Sequence, residues 1–157
     1  MIFTGAVEMH ICTFELNDKP ISRFEIAGRA FPAFSGAGPH ANKRTFMCVP
    51  DLGPLPVGAY YIVDRKSGGW LGALRDSIAG NSEWFALYAD DGRVDDETFC
   101  DGVKRGRFRL HAGSISKGCI TIATQADFNV IKGMLRGKNE YFIPGRKTRY
   151  YGKVIVK

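Results

Sequence analysis

Apolar and polar residues alternate most clearly near the start of the chain. Residues 6–16 mix alternation with β-branched and aromatic side chains, and Ile21–Ile26 (Ile-Ser-Arg-Phe-Glu-Ile) alternates from Arg23 onward. Asn17-Asp18-Lys19-Pro20, between them, is turn chemistry, so the pattern predicts an antiparallel hairpin. Residues 35–43 are loop-forming, with Gly36, Gly38 and Pro39 among them. Asp51-Leu52-Gly53-Pro54-Leu55-Pro56-Val57-Gly58 is a rigid turn that feeds an apolar strand over Ala59–Val63. A second apolar run, Trp84–Tyr88, predicts another strand.

Other stretches follow different rules. Residues 65–83 are glycine-rich, and Leu71, Leu74 and Ile78 share one short helical face. They read either as a flap over a site or as a plain surface excursion. Residues 90–97 are acidic and 101–109 basic, which predicts the two sides of a solvated loop or hairpin. Thr124 opens the one long stretch of helical period. It is placed as an N-cap, Asp127 follows three residues on, and Phe128, Ile131 and Leu135 fall on one face. Gly137 stops this helix, and Tyr150–Val156 predicts a final strand. The expected fold is therefore mostly β, sandwich- or barrel-like, with one α-helix packed on it near residues 124–136.

The bulk composition narrows the class. A length of 157 residues suits one domain, spanning 1–157, with the 65–83 segment as an insertion. Lys and Arg number 22 against 16 Asp and Glu, a formal charge of +6. No basic helix or aromatic-plus-basic signature accompanies that charge, so nucleic acid is not an expected partner. No run approaches the ~20 apolar residues of a membrane-spanning helix, and the first residues lack a secretory pattern. Four cysteines, Cys12, Cys48, Cys100 and Cys119, form no CxxC pair, so no metal is expected. Two disulfides, or one disulfide with two free thiols, both remain open.

Candidate chemistry concentrates in residues 107–122, Arg-Phe-Arg-Leu-His-Ala-Gly-Ser-Ile-Ser-Lys-Gly-Cys-Ile-Thr-Ile. A strand over Phe108–Leu110 delivers His111 to its end, a small-residue loop follows, and Cys119 opens the next strand. A thiolate nucleophile needs a neighbouring imidazole to take its proton or to stabilise the anion. Gly118 offers room for a substrate backbone, and the amides at Gly118 and Cys119 are candidate oxyanion donors. Ser116 either bonds within the loop or orients a reacting group. Arg109 and His40 are candidates for substrate contact, while His10 reads as structural and Trp70 and Trp84 as core or flap packing. A buried structural cysteine after a turn is the plainer alternative for Cys119.

His111 followed by Ser116-Lys117-Gly118-Cys119-Ile120 resembles the His…Ser-x-Gly-Cys signature of L,D-transpeptidase (YkuD-like) catalytic domains. The short His-to-Cys spacing and the Cys-Ile-Thr-Ile ending are closest to the L,D-transpeptidase-like effectors of the type VI secretion system. Phe34-Ser35-Gly36 and Gly53–Tyr61 fit that branch as well. Wall-building members carry Arg directly after the Cys-Ile pair, whereas this chain has Thr121.

The resemblance implies a cofactor-free enzyme in which Cys119 attacks the bond before the terminal D-alanine of a tetrapeptide stem. His111 serves as base, and water or a D-amino acid resolves the thioester. It also implies export from a Gram-negative donor without a signal peptide, action in the target periplasm, and a cognate immunity protein alongside the secretion apparatus. Rival readings are a Cys-His endopeptidase or amidase and a non-catalytic wall-binding module.

Overall fold

Alternation at Ser22–Ile26 becomes strand β2 (Ser22–Ile26), whose Ser22, Phe24 and Ile26 are buried while Arg23 is exposed. It pairs antiparallel with β1 (His10–Phe14), Thr13 opposite Glu25 and Phe14 opposite Phe24, as the hairpin pattern requires. The computed structural model describes residues 9–64, 84–137 and 141–157. The proposed flap at 65–83, with Trp70, lies outside the described residues.

The next strand is less legible. β3 (Arg29–Phe34) follows a two-residue turn in which Ala27 and Gly28 both have positive φ, 50° and 77°. That is the geometry of a tight hairpin turn. Pro32 in its middle argues against a strand on sequence grounds. The structure accommodates it because pairing with the far neighbour begins only at Ala33, and the Pro32 carbonyl accepts from the Ala123 N–H at 3.0 Å.

The remaining elements are β4 (Gly58–Asp64), β5 (Phe85–Ala89), β6 (Glu97–Cys100), β7 (Val103–Gly106), β8 (Arg109–Ala112), β9 (Ile120–Ile122), α1 (Gln125–Arg136), β10 (Tyr141–Phe142), β11 (Arg149–Tyr150) and β12 (Gly152–Val156). Eight strands close a mixed barrel in the order β1-β12-β4-β5-β8-β9-β3-β2, and β10–β11 and β6–β7 form separate two-stranded sheets. The run expected as one strand from Tyr150 is thus divided, with Tyr150 pairing to Tyr141 and Gly152 entering the barrel.

The apolar runs of β4 and β5 are continuous because both of their faces are covered. Tyr60, Ile62, Phe85 and Leu87 fill the barrel, while Tyr61, Val63, Ala86 and Tyr88 pack outward with Ile143 and Tyr150. Burial on two faces removes the alternation that a half-exposed strand shows. Helix α1 begins as expected, with Thr124 Oγ1 accepting from the Asp127 N–H at 3.2 Å and Phe128, Ile131 and Leu135 buried in the barrel core.

Cys48 and Cys100 form a disulfide, leaving Cys12 and Cys119 as free thiols. The bond ties the loop after β3 to the β6–β7 hairpin. One sequence expectation is corrected there: the basic block 101–109 is not all solvated, because Arg105 on β7 is only 3% exposed. Its guanidinium is satisfied by main-chain carbonyls, which a charge pattern in the sequence does not reveal.

Candidate active site

β8 and β9 are parallel neighbours, with Leu110 opposite Ile120 and His111 opposite Thr121. Only residues 113–119 connect them, a short return made possible by the brevity of both strands. Alternation then fixes the faces. Leu110, Ile120 and Ile122 point into the barrel at 0% exposure, so Arg109, His111 and Thr121 take the opposite face. Continuing that parity one residue before β9 puts Cys119 on the same outer face as His111. His111 and Cys119 thus stand two positions out of register on neighbouring parallel strands. A slip of one residue in either strand would send one of the pair into hydrocarbon.

Both side chains line one cleft of about 700 Å³, together with Trp84, Arg107, Arg109 and Lys117. The His111 ring is held on two sides. Its Nδ1 lies 2.9 Å from the Ala112 carbonyl, and Trp84 stacks on it with centroids 4.1 Å apart and planes 20° from parallel. A carbonyl only accepts, so Nδ1 carries the proton and the neutral ring presents its lone pair at Nε2. Thr121 Oγ1 is 3.5 Å from Nε2 and donates to the Ile115 carbonyl at 3.3 Å.

Cys119 is partly buried, and its thiol faces the Arg107 carbonyl at 4.0 Å. Burial pushes this thiol above its ordinary value. The Arg109 backbone N–H and guanidinium pull it down, Asp96 adds to the rise, and the Lys117 backbone N–H lowers it again, with the net shift upward. Burial thus disfavours the thiolate, and a base beside the sulfur offsets that cost.

The loop before Cys119 is bonded carbonyl by carbonyl. Ser116, buried, donates to the Cys119 carbonyl at 2.7 Å and accepts from the Gly36 N–H at 3.0 Å. Ser35 donates to the Gly118 carbonyl at 3.2 Å and accepts from the Leu55 N–H at 2.8 Å. Its own N–H is held by Asn42 Oδ1 at 2.9 Å. Because a trans peptide sets C=O and N–H on opposite sides, the Cys119 N–H is turned away from Ser35.

Gly118 has φ of +109°, and a Cβ there would come within 2.6 Å of Arg105 Nη2. In the direction a side chain would take, the space at this glycine is occupied by Arg105 and Phe108. Arg105 donates to the carbonyls of Gly53 (3.1 Å), Pro54 (3.2 Å) and Met47, and lies over the Phe108 ring. It welds the hairpin, the Gly-Pro turn and the cysteine loop into one wall.

Of the other candidates, Arg109 reaches the cleft, its guanidinium doubly bonded to Asp96 at 2.8 and 2.9 Å. His40 does not line the cleft and packs edge-on against Phe46 at 4.6 Å. His10 begins β1. Trp84, expected as packing, packs on the His111 ring. Ser35 and Thr121 lie in stretches that carry the family resemblance, whereas Asp96 and Arg105 have no sequence signal beyond the acidic and basic blocks around them. No group of three or more metal-ligating side chains is present among the described residues. No helix among them is long and apolar enough to cross a membrane.

The family model described as the Tlde1 domain matches residues 29–146, which span β3 to the turn before β11 and include both His111 and Cys119. No curated protein and no solved structure matches the chain. The matched span covers most of the barrel and the whole cleft wall. The chain belongs to the Tlde1 domain family, the L,D-transpeptidase-like, peptidoglycan-modifying effectors of the type VI secretion system that are delivered to target cells.

Proposed function

We propose that the protein is a cysteine-dependent L,D-carboxypeptidase, with D-amino acid exchange as a second outcome of the same intermediate. The carrying observation is that the Cys119 thiol and the His111 imidazole line one cleft, with His111 Nδ1 2.9 Å from the Ala112 carbonyl. In this reading His111 Nε2 takes the Cys119 proton as the sulfur attacks the carbonyl between the diamino acid and the terminal D-alanine of a tetrapeptide stem. The carbonyl oxygen gains negative charge, and the Cys119 N–H is assigned as its donor. Imidazolium then protonates the departing amine, D-alanine leaves, and a thioester remains.

Water, deprotonated by the same imidazole, hydrolyses the thioester and restores the thiol. A free D-amino acid reacting in place of water yields the exchanged stem. Either product removes a donor stem from cross-linking in the target periplasm. Export by the secretion apparatus and protection of the donor by an immunity protein complete this picture, and no cofactor enters the chemistry.

Mass spectrometry of muropeptides, incubated with wild-type protein and Cys119→Ala in parallel, tests it. Tripeptide stems and free D-alanine are expected with wild type alone. Dipeptide stems or free glycan would point instead to an endopeptidase or amidase. Unchanged muropeptides from a folded, alkylatable protein would remove the enzymatic reading and favour a wall-binding module.

A further inference from the structure

The cleft does not end at Cys119. A second cavity of about 260 Å³ shares Asp51, Gly106, Arg107 and Lys117 with it, so the two adjoin at these residues. Most charges in this wall are already used by the fold. Arg109 is bonded to Asp96, Lys104 to Glu97 at 2.8 Å, and Arg105 to three carbonyls. Three charges at the junction are less committed, with Asp51 acting on the buried Arg105 only through space. Among the described residues, the side chains of Arg107, Lys117 and Asp51 have no ion-pair or hydrogen-bond partner, and all three are exposed.

The backbone adds a second observation. Arg107 has φ of +58°, an uncommon conformation for a residue with a long side chain. It is pinned there by its N–H donating to the Asp96 carbonyl at 2.9 Å, while its own carbonyl faces the Cys119 thiol. The chain therefore accepts a strained residue beside the sulfur, and its side chain is exposed. Such outliers concentrate where a side chain is being aimed. Asp51 also has positive φ, 63°, although aspartate visits this region readily.

We propose that Asp51, Arg107 and Lys117 form a binding site for a zwitterionic α-amino acid group, an ammonium and a carboxylate on one carbon. The two cations take the carboxylate and Asp51 takes the ammonium. A purely anionic or purely cationic group would leave one sign of this mouth unanswered. Two sources carry the chemistry. One is the free end of a diamino acid side chain in the stem, which rests on the function proposed above, and the other is a free D-amino acid arriving as acceptor.

NMR titration of the wild-type protein with meso-2,6-diaminopimelate and with D-alanine reads the site without turnover. Shifts are expected at residues 51, 107 and 117. The affinity should fall at least five-fold when the ligand is amidated or N-acetylated. The same loss is expected in Arg107→Gln/Lys117→Gln and in Asp51→Asn, and affinity should weaken as salt rises, as exposed ion pairs do.

Turnover separates the sources. Faster cleavage of diaminopimelate stems than of lysine stems, abolished in the double variant, assigns the site to the stem. A raised KM for D-amino acid exchange alone assigns it to the acceptor. Equal binding of charged and blocked ligands, or variants that bind as wild type does, overturns the proposal. Binding with no stem cleaved would leave this site standing and remove the hydrolase. Cleavage without charge preference or charge-dependent binding would do the reverse.

Discussion

Two sides of the barrel are built by different forces. The arc of β1, β2, β12 and β4 is filled by Phe14, Phe24, Tyr60, Ile62 and Val154, each at most 2% exposed, and its order follows from apolar burial. The wall formed by residues 44–54, the β6–β7 hairpin and residues 113–119 carries few such side chains. It is held by a disulfide, by Arg105 on three carbonyls and by two buried serines. Burial is non-directional and sets stability, whereas hydrogen bonds and the disulfide fix where a particular atom points. The thiol and imidazole sit at the seam between the two, on the outer face of strands whose inner face is core.

The comparison is sharpest for variants that touch one side only. Cys119→Ala is expected to lower stem cleavage by roughly 10⁴-fold or more, because the residues of such a pair act as a unit. Its melting temperature should stay within about 2 °C of wild type, read by calorimetry. Phe24→Ala on the other side should cost about 3–5 kcal/mol in a urea titration, with turnover per folded molecule unchanged. A lower turnover per folded molecule would show that arc and wall are mechanically coupled.

The disulfide closes a loop between positions 52 apart, so its loss in Cys48→Ser/Cys100→Ser is expected to cost about 4 kcal/mol by chain entropy. Amide exchange at Gly36, Leu55 and residues 113–119 should accelerate before that of β4 and β12. Uniform acceleration would contradict an independently clasped wall.

A pH effect belongs to the apolar side. Burial raises the Cys12 thiol to about 12, so the folded state keeps a proton that the unfolded chain gives up from near pH 9. Stability is thus lost as pH rises through that window, at up to about 1.4 kcal/mol per unit. Cys12→Val should flatten the alkaline limb of a stability–pH curve.

The smallest effect tests the wall's electrostatics. Arg109→Gln removes a positive charge that lowers the Cys119 thiol, so iodoacetamide alkylation at pH 8 should slow by about two- to five-fold. Asp96→Asn should accelerate it, since Asp96 raises the same group.

Much of this molecule follows from one-dimensional pattern. The β1–β2 hairpin, the apolar strands after the Gly-Pro turn, and α1 with its Thr124 cap all arise from local periodicity and turn chemistry. The neighbouring placement of the strands that carry His111 and Cys119 was also legible, because only seven residues, 112–118, separate the two positions.

What the chain order alone left undetermined involves contacts between distant residues. Pro32 in β3 is tolerated only because its neighbour strand stops short. Arg105 is buried only because carbonyls from residues 47, 53 and 54 converge on it. Cys48 met Cys100, and Ser35 met the cysteine loop, across separations of 52 and 83 positions. Local pattern determines which face of an element is apolar, since that depends on neighbours a few residues away. Which buried polar groups satisfy one another is settled only when the barrel closes and brings remote backbone atoms within bonding distance.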